Sequence, residues 1–502
     1  MEQQNNSQNI LEDLMKSNLK ALTHIDLQLN NQQVAQLNNT LVQCQKLESL
    51  VLNLNKENIS DDKIKQLFAE YPILENYVET GNNVSNDQIY AQIQFFKNMF
   101  DLGSSACEEL VQNRTNYQCK TLTNLNLQLW KNKMGDRGIL SIAEGISSCA
   151  KLTTLTLNAV NNQIGEVGAS AICIVLGSCD KGALNIGLGL SQCNQLKNLD
   201  IGMELNQIGQ DGASAIGRAI SECMSSCTQL TNLYFNISKN QIGDDGASTI
   251  GAALGNCKLL TNLYFEFWKN KIGDKGAQNI GLGLSNCTQL TNLEFGISQN
   301  QIGDDGATTI GAALGNCKLL SNLCFNIGGN KIGDKGAQNI GLGLSNCTQL
   351  TNLVFAISEN QIGDDGATTI GAALGNCKLL TNLNFQIWRN QIGDKGAQNI
   401  GLGLSNCTQL TNLQFGISLN QIGDDGTTAI GAALGNCKLL TNLCFDIRGN
   451  KIGDKGAQNI GLCLSSCAQL INLDFRSEQI SLIIFEKKLY KMILRSFQNL
   501  VK

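Results

Sequence analysis

The sequence predicts an α/β solenoid, in which copies of one strand–turn–helix unit stack side by side. A period of thirty residues recurs through most of the chain. Within each period, apolar and variable positions alternate over a stretch such as 290–297, which is the pattern of a strand. Apolar positions then recur at spacings of three and four, as in 307–317, which places them on one face of a helix. One such unit cannot bury its apolar side alone, so neighbouring units are expected to stack.

The N-terminal part of the chain follows this template loosely. Residues 1–21 have a helix-like apolar pattern, and we expect a helical cap there, because the first coil of a solenoid needs cover. We interpret residues 22–118 as irregular coils with one insertion. Strand-like leucines occur within 22–29 and 47–54, but the register is lost over residues 69–118.

The middle part, residues 119–226, returns to the template but lacks one strand near Cys179 and Asp180. Ile164 and Ile208 occupy equivalent positions, yet they lie 44 residues apart, which is sixteen short of two repeats. Either two helical segments run together at this point or the gene model has lost an exon. The sequence leaves both alternatives open.

Residues 227–475 hold the regular repeats, and two repeat types alternate there to give a sixty-residue unit. The last segment, residues 476–502, leaves the pattern. Its apolar positions are compatible with one helix face, with Lys487 and Lys488 elsewhere on the helix. We expect this segment to cap the end of the solenoid. The alternative is a basic amphipathic helix that binds a membrane or a calmodulin-like partner.

The recurring residues also form a motif. It reads Leu-x-x-Leu-x-Phe and then Asn-x-Ile-Gly-Asp-x-Gly-Ala-x-x-Ile-x-x-x-Leu-x-x-Cys, closely over residues 120–475 and loosely over 22–60. This motif resembles leucine-rich repeats of the ribonuclease-inhibitor type. The resemblance implies a right-handed horseshoe with parallel strands on its concave face and helices on its convex face. One departure is the spacing from Leu263 to Asn270, seven residues where the family usually has five. Two added residues preserve strand parity, so Leu263 and Phe267 are expected to point inward together.

Three fixed positions in each repeat have structural interpretations. Asn270 and its equivalents are expected to hydrogen-bond the backbone of adjacent coils in a ladder, because a buried amide must be satisfied. Asp274 and its equivalents suit a helix N-cap. The next residue alternates between Asp and Lys, as at Asp245 and Lys275, so neighbouring coils are expected to place opposite charges side by side.

Composition and motifs narrow the function classes. A formal net charge of −5 gives no argument for nucleic acid or membrane, and the N-terminus lacks the order of a signal peptide. We expect a cytoplasmic protein whose cysteines, most of them on the buried helix face, stay reduced. His24 is the single histidine and no phosphate-binding glycine loop occurs, so neither a histidine-rich metal site nor a triad is indicated. We expect no cofactor, no metal and no catalytic residue.

Variation between the repeats is concentrated on the strand side. Residues 241–300 and 301–360 differ at ten positions, and eight of these fall in the windows 264–269 and 294–299. Drift on an unconstrained surface is the alternative, but it would also scatter helix positions such as Gln278, which is copied unchanged. Exposed Trp, Tyr and Arg are enriched in binding hot spots. The candidate partner-binding residues are Trp130, Tyr234, Tyr264, Glu266, Trp268, Lys269, Asn384, Trp388, Arg389, Asp446 and Arg448.

These observations predict a non-catalytic, monomeric scaffold that binds a protein partner on its concave strand face. A regulator of a small GTPase, of the GTPase-activating type, is the alternative, because the broader family includes that activity. A second alternative is a repeat region related to those attached to kinase domains. The kinase signature itself is absent from the sequence.

Overall fold

A computed structural model of the chain describes residues 24–28, 49–53, 123–131, 135–136, 139, 151–170, 195–226, 229–464 and 466–477. The chain divides into two compact units, Met1–Ile242 and Gly243–Lys502. Several predictions lie outside the described residues. They are the helical cap at 1–21, all but the first two residues of the cap at 476–502, and the missing strand near Cys179 and Asp180.

In the first unit the described strands are parallel, and each pairs with the next along the chain. They are β1 (His24–Gln28), β2 (Ser49–Asn53), β3 (Asn124–Gln128), β4 (Thr154–Asn158), β5 (Asn198–Gly202) and β6 (Asn232–Asn236). Helix α1 (Gln210–Ser226) follows β5. β4 pairs directly with β5, with Leu155 opposite Leu199.

The second unit alternates helices and strands without interruption. The helices are α2 (Asp244–Leu254), α3 (Asp274–Leu284), α4 (Asp304–Leu314), α5 (Asp334–Leu344), α6 (Asp364–Asn376), α7 (Asp394–Leu404), α8 (Asp424–Asn436) and α9 (Asp454–Leu464). The strands are β7 (Asn262–Glu266), β8 (Asn292–Gly296), β9 (Asn322–Asn326), β10 (Asn352–Ala356), β11 (Asn382–Gln386), β12 (Asn412–Gly416), β13 (Asn442–Asp446) and β14 (Asn472–Arg476). Adjacent strands pair in parallel at equivalent residues, as at Phe355 and Phe385. The predicted α/β solenoid is confirmed.

The core lies between the sheet and the helix layer. Leu263, Phe265 and Phe267 are 3%, 1% and 0% exposed, so the prediction that the lengthened spacing keeps all of them inward is confirmed. The phenylalanines form a column through the coils; the ring centroids of Phe295 and Phe325, for example, lie 5.7 Å apart. Each added coil therefore extends one continuous apolar core.

The asparagine ladder is also confirmed. Asn300 Nδ2 donates to the Phe267 carbonyl of the preceding coil at 3.0 Å, and Asn300 Oδ1 accepts from the Ile272 N–H at 3.0 Å. The same pattern recurs at the equivalent asparagines of later coils. Each of these amides thus joins two coils through hydrogen bonds of both its Nδ2 and its Oδ1.

The prediction that Asp274 caps its own helix is wrong. Gly273 is the N-cap residue of α3, and Asp274 is already the first helical residue. Its Oδ1 instead accepts from the backbone N–H groups of Gly303 and Gly306 in the next coil, both at 2.8 Å. The carboxylate therefore satisfies the first turn of α4 rather than α3. Spacing along one chain does not reveal which of two adjacent helices an aspartate serves.

The helix-face cysteines are buried, as predicted. They are Cys257, Cys287, Cys317, Cys347, Cys377, Cys407, Cys437 and Cys467. Their thiols lie against backbone carbonyls; Cys317 Sγ donates to the Ala313 oxygen at 3.6 Å. Burial raises the pKa of Cys317 to about 11, so the residue stays a neutral thiol at neutral pH and fills core volume.

The predicted pairing of opposite charges between coils is found on the helix layer. Lys335 Nζ lies 2.8 Å from Asp305 Oδ1, and Lys275 Nζ lies 2.9 Å from Asp245 Oδ1. Two further pairs follow at Lys395–Asp365 and Lys455–Asp425. In each pair the lysine reaches back to the preceding coil, and all these side chains are exposed. Exposed pairs of this kind contribute little to stability and mainly fix register.

Candidate functional site

The outer surface of the sheet in Gly243–Lys502 carries the side chains that alternate with the buried ones. We call this surface, together with the turn that follows each strand, the strand face, and we divide it into rows of equivalent positions. The first row is Tyr264, Glu294, Cys324, Val354, Asn384, Gln414, Cys444 and Asp474. The second row is Glu266, Gly296, Asn326, Ala356, Gln386, Gly416, Asp446 and Arg476. The third row is Trp268, Ser298, Gly328, Ser358, Trp388, Ser418 and Arg448. The fourth row is Lys269, Gln299, Gly329, Glu359, Arg389, Leu419 and Gly449.

Nine of the predicted partner-binding residues lie on this strand face, in three groups. Tyr264, Glu266, Trp268 and Lys269 share the β7 coil, Asn384, Trp388 and Arg389 share the β11 coil, and Asp446 and Arg448 share the β13 coil. Trp268 and Trp388 are half-buried, whereas Lys269, Arg389 and Arg448 are exposed. The two tryptophans are four coils apart, which corresponds to ~19 Å across the sheet.

The fourth row has a backbone conformation that sequence analysis missed. Lys269 and Arg389 have φ values of 57° and 54°, in the left-handed region, and so do the other non-glycine residues of the row. Glycine occupies the same conformation at Gly329 and Gly449, with φ values of 66° and 65°. In the sequence, only those two glycines indicate a left-handed backbone at this row, because L-residues adopt this conformation at a cost of ~1–2 kcal/mol. Large side chains occur here despite that cost.

A trough of small residues separates the two tryptophans. Along the third row, Ser298, Gly328 and Ser358 lie between Trp268 and Trp388. The second row is also small on two of these coils, with Gly296 and Ala356. Ser298 and Ser358 are nevertheless only 7% and 5% exposed, so neighbouring atoms cover most of this stretch.

Three of the predicted anchors take part in ion pairs on the strand face itself. Arg389 Nη1 lies 3.1 Å from Glu359 Oε1, and Arg448 Nη2 lies 2.6 Å from Asp446 Oδ2. Burial raises the pKa of Asp446, but the hydrogen bonds from Arg448 outweigh it and lower the pKa overall. Any partner that uses Asp446 or Arg448 must compete with this pair, which weakens them as isolated anchors.

Glu294 differs from these paired carboxylates. It lies between Tyr264 and Cys324 in the strand register and is half-buried. It makes no ion pair or hydrogen bond with any residue in the described part of the chain. Burial raises its pKa, because no cation offsets the loss of water around the carboxylate. Sequence analysis placed Glu294 in a variable window but did not select it.

The Glu266 carboxylate folds across the neighbouring coil. A Cβ atom at Gly296 would collide with both carboxylate oxygens of Glu266, so the glycine makes room for that side chain. Gly296 belongs to the same strand as Glu294, two residues further on. The two carboxyl-bearing side chains therefore occupy one region of the strand face. Burial, together with the charges of Glu294 and Glu266, raises the pKa of Cys324 to about 11.

Ser358 carries an unsatisfied hydroxyl. Its side chain belongs to the third row, the residue is only 5% exposed, and Oγ has no hydrogen-bond partner among the described residues. A buried hydroxyl without a partner is uncommon and costs about 1–3 kcal/mol. This property cannot be seen in the sequence, because Ser298 and Ser418 occupy equivalent positions of the repeat.

The remaining predicted residues, Trp130 and Tyr234, belong to the first unit. Both are half-buried on the outer side of its strands, and Lys131 Nζ lies 4.7 Å from the Trp130 ring centroid. Asp200 lies opposite Tyr234 in the register. Burial raises the pKa of Asp200 to about 6, against a smaller lowering by a hydrogen bond with Thr156. Sequence analysis did not select Asp200.

Comparison with protein families finds leucine-rich repeats, matched at residues 233–251, 323–341, 350–371 and 443–461. The chain thus carries leucine-rich repeats, which agrees with the predicted repeat class; the ribonuclease-inhibitor subtype stays a prediction. No curated protein matches the sequence. Among solved structures, "Leiomodin-1 Actin-Binding Site 2 (ABS2)" is 18% identical, over 33% of this chain and 94% of that one, with a TM-score of 0.24. A likeness of that extent supports no inference about what this chain binds.

The described residues also limit what chemistry can be assigned. No group of three or more His, Cys, Asp or Glu side chains within them is arranged to hold a metal ion. No described helix is both long and apolar enough to cross a lipid bilayer. The described strand face of Gly243–Lys502 carries two half-buried tryptophans, the half-buried Glu294 carboxylate and the buried Ser358 hydroxyl.

Proposed function

We propose that this protein is a non-catalytic scaffold that binds a protein partner on its strand face, the predicted concave side. The observation that carries the proposal is the concentration of variable side chains on the strand face, among them Trp268 and Trp388. Half-buried tryptophans beside small residues have the composition of binding hot spots. We also propose that the protein is monomeric and cytoplasmic, and that it needs no cofactor.

The proposal is tested by capture from cell extract with the full chain and with a Trp268→Ala, Trp388→Ala double variant. If either tryptophan is a hot spot, its loss weakens the binding of a partner about thirtyfold or more. The partner is then expected to be missing from the captured set. Circular dichroism verifies that the double variant is folded. An unchanged set of partners for a folded double variant would contradict binding at the strand face.

A matched control lies on the helix layer. The sequence predicts that changing Gln278 or Asn279 leaves partner binding unaffected, but Asn279 also joins two coils. Asn279 Nδ2 donates to Ser248 Oγ of the preceding coil at 3.1 Å and to the Lys275 carbonyl at 3.0 Å. Replacing it would disturb contact between coils. Gln278→Ala is therefore the control, and it should capture the same partners as the unmodified chain.

The regulator of a small GTPase, the alternative from the sequence, draws no specific support from the strand face. That activity predicts that one arginine or asparagine at a rim of the solenoid is essential. Arg389 and Arg448 both form ion pairs with neighbouring carboxylates. Accelerated GTP hydrolysis by a small GTPase in the presence of this chain would restore the alternative.

A further inference from the structure

We propose that the turns leading into the strands of Gly243–Lys502 form a second binding surface, which takes an acidic amphipathic α-helix of a partner protein. The surface consists of four Lys-Leu pairs at equivalent positions of every second coil, and we call it the lysine–leucine edge. The pairs are Lys258-Leu259, Lys318-Leu319, Lys378-Leu379 and Lys438-Leu439. This edge is separate from the strand face, so binding there does not depend on the proposed function.

The leucines of the edge are exposed although the fold does not need them. Leu259, Leu319, Leu379 and Leu439 are 53%, 49%, 47% and 45% exposed. In the alternate coils the equivalent positions are Gln289, Gln349 and Gln409, which are also exposed. A glutamine therefore suits the same turn, and packing does not require a leucine. One exposed leucine needs no explanation, but a regular row of them on one edge is typical of an interaction surface.

The lysines give this edge a positive charge that no neighbouring side chain balances. Lys258, Lys318 and Lys378 are exposed, and their ammonium groups make no ion pair or hydrogen bond with a residue in the described part of the chain. Lys438 donates to the Gly435 carbonyl in the last turn of α8. Lysines of the helix layer differ, because Lys335, for example, has the Asp305 carboxylate at 2.8 Å.

The absence of acidic residues extends to all the turns of this edge. No Asp or Glu occurs in the connecting segments 255–261, 285–291, 315–321, 345–351, 375–381, 405–411 and 435–441, although the chain as a whole has a formal net charge of −5. The edge therefore repels cations and attracts acidic groups. An acidic partner with apolar side chains satisfies both members of each Lys-Leu pair.

Hydrogen bonds between coils hold the pairs at a fixed spacing. At the start of the strands, Asn322 Nδ2 donates to Asn292 Oδ1, and Asn352 Nδ2 donates to Asn322 Oδ1, both at 2.5 Å. Directly before Lys318, Cys317 Sγ donates to the Cys287 carbonyl of the preceding coil at 3.8 Å. Each turn is thus tied to the turn before it. A rigid edge of this kind loses little conformational entropy when a partner binds.

The spacing of the pairs matches one heptad of an α-helix. Adjacent strands lie ~4.8 Å apart. Inside the coils, the ring centroids of Phe295 and Phe325 are 5.7 Å apart, and those of Phe325 and Phe355 are 5.6 Å apart. The turns join the sheet to the helix layer, so pairs two coils apart are separated by ~10–11 Å. Seven residues of an α-helix rise ~10.5 Å, so a helix lying along the edge presents the same two side chains to every pair.

These features favour a helix over other anionic partners. An apolar residue and a glutamate four positions later share one face of a helix, so they reach a leucine and its neighbouring lysine together. Nucleic acid binds through its phosphates and makes no use of a row of leucines. An anionic lipid surface requires no fixed spacing, and the Trp and Tyr residues that mark membrane interfaces are absent from the seven connecting segments.

The first test measures, by fluorescence anisotropy, how the full chain binds a labelled peptide of four heptads. Each heptad has Leu at its first position and Glu at its fifth, with Ala and Gln elsewhere. A control peptide contains the same residues in an order that removes the heptad repeat. We expect the heptad peptide to bind about tenfold or more tightly than the control, and more weakly as salt is added. Equal binding of the two peptides would overturn the match of spacing and with it the helix.

The alternate coils supply substitutions that remove the edge and keep the fold. Lys318→Thr with Leu319→Gln, combined with Lys378→Thr and Leu379→Gln, gives two pairs the Thr-Gln sequence of residues 348–349. We expect this fourfold variant to melt like the unmodified chain and to bind the heptad peptide about tenfold or more weakly. Lys331→Gln removes one exposed lysine at the opposite edge of the sheet and should leave the affinity unchanged. An unchanged affinity of the fourfold variant would contradict the inference.

Charge reversal tests whether the lysines contact the acidic residues directly. Lys318→Glu combined with Lys378→Glu should weaken binding of the heptad peptide further, because it places like charges opposite each other. A peptide with Lys in place of each Glu should bind this reversed variant more tightly than it binds the unmodified chain. If the reversed peptide gains no affinity from the reversed variant, the lysines are not the contact and the inference is wrong.

Two further measurements separate the edge from its competitors. The full chain should not sediment with phosphatidylserine-containing vesicles; sedimentation that is lost in the fourfold variant would assign the edge to a membrane and overturn the helix. The Trp268→Ala, Trp388→Ala double variant should bind the heptad peptide normally, because its substitutions lie on the strand face. A heptad peptide that requires the tryptophans would bind the strand face instead, and this inference would be wrong. If the heptad peptide does not bind at all while the double variant loses a captured partner, the inference is likewise wrong and the proposed function is supported.

Discussion

In Gly243–Lys502 the helix layer and the strand face are both in contact with solvent. The residues of the helix layer are nearly the same in every repeat, whereas those of the strand face vary. Several polar side chains of the helix layer are bonded to an adjacent coil. Asp304 Oδ1 accepts from Gly333 and Gly336, each at 2.8 Å, and Lys335 Nζ pairs with Asp305. These positions are constant because each one holds two coils together.

The strand face contains the opposite kind of residue. Among the described residues, the buried Ser358 hydroxyl has no hydrogen-bond partner and the half-buried Glu294 carboxylate has no cation, while Lys269 lies in left-handed backbone. None of these features strengthens the fold, and each one costs some stability. Variation alone is weak evidence for binding, because it also arises where no bond between coils is at stake. Unsatisfied groups are stronger evidence, since a ligand can supply the hydrogen bond or the opposite charge that the protein lacks.

The largest effect expected from this contrast is at Asp304, on the helix layer. Asp304→Ala leaves the N–H groups of Gly333 and Gly336 without an acceptor at the start of α5. We expect a loss of about 2–3 kcal/mol in the free energy of unfolding, measured by urea denaturation. Asp305→Ala, one residue away and exposed, should shift the midpoint far less. Equal effects of the two substitutions would contradict a cap that reaches between coils.

A smaller effect is expected at Asp200, on the outer side of the first unit, and it depends on pH. The pKa of Asp200 is about 6 in the folded protein, whereas its ordinary value is 3.8. The native state therefore binds this proton more tightly than the unfolded state does. Stability should therefore fall as pH rises from about 4 to about 6. Asp200→Asn should gain ~1 kcal/mol at pH 7, a figure discounted because the group is partly exposed, and nothing at pH 3.5. A difference between variant and unmodified chain that is constant with pH would show that desolvation of Asp200 has no effect on stability.

The smallest effect is expected in the fourth row, where Gln299 and Gln301 offer a matched pair. Both are exposed glutamines in one turn, but only Gln299 has a positive φ, of 53°. Gln299→Gly should raise stability by about 0.5 kcal/mol, because glycine adopts this conformation without strain. Gln301→Gly should lower stability by a similar amount. If thermal denaturation shows both variants destabilised, the left-handed turn carries no strain.

Much of the fold could be predicted from the sequence, because the same residue pattern recurs in every repeat and each inference is supported many times. The alternation around Leu263 and Phe267 and the bonding of Asn300 were predictable, since burial and amide chemistry act locally. Placement of the variable residues on the sheet side followed from strand parity. The hydrogen-bond donors to Asp274 could not be predicted. Its carboxylate and the Gly303 N–H group meet only when two coils are stacked.

The sequence by itself determined the periodicity, the buried face of each unit and the stretch where repeats differ, because these depend on spacing along the chain. Only the tertiary structure decided which side chains are satisfied. Ser298, Ser358 and Ser418 are equivalent in the repeat, but only the Ser358 hydroxyl is buried without a partner. Glu294 and Glu359 are both glutamates of the strand face, but only Glu359 has an arginine in reach. The physical reason is that hydrogen bonds and ion pairs between coils join residues about thirty positions apart, and their geometry exists only after stacking.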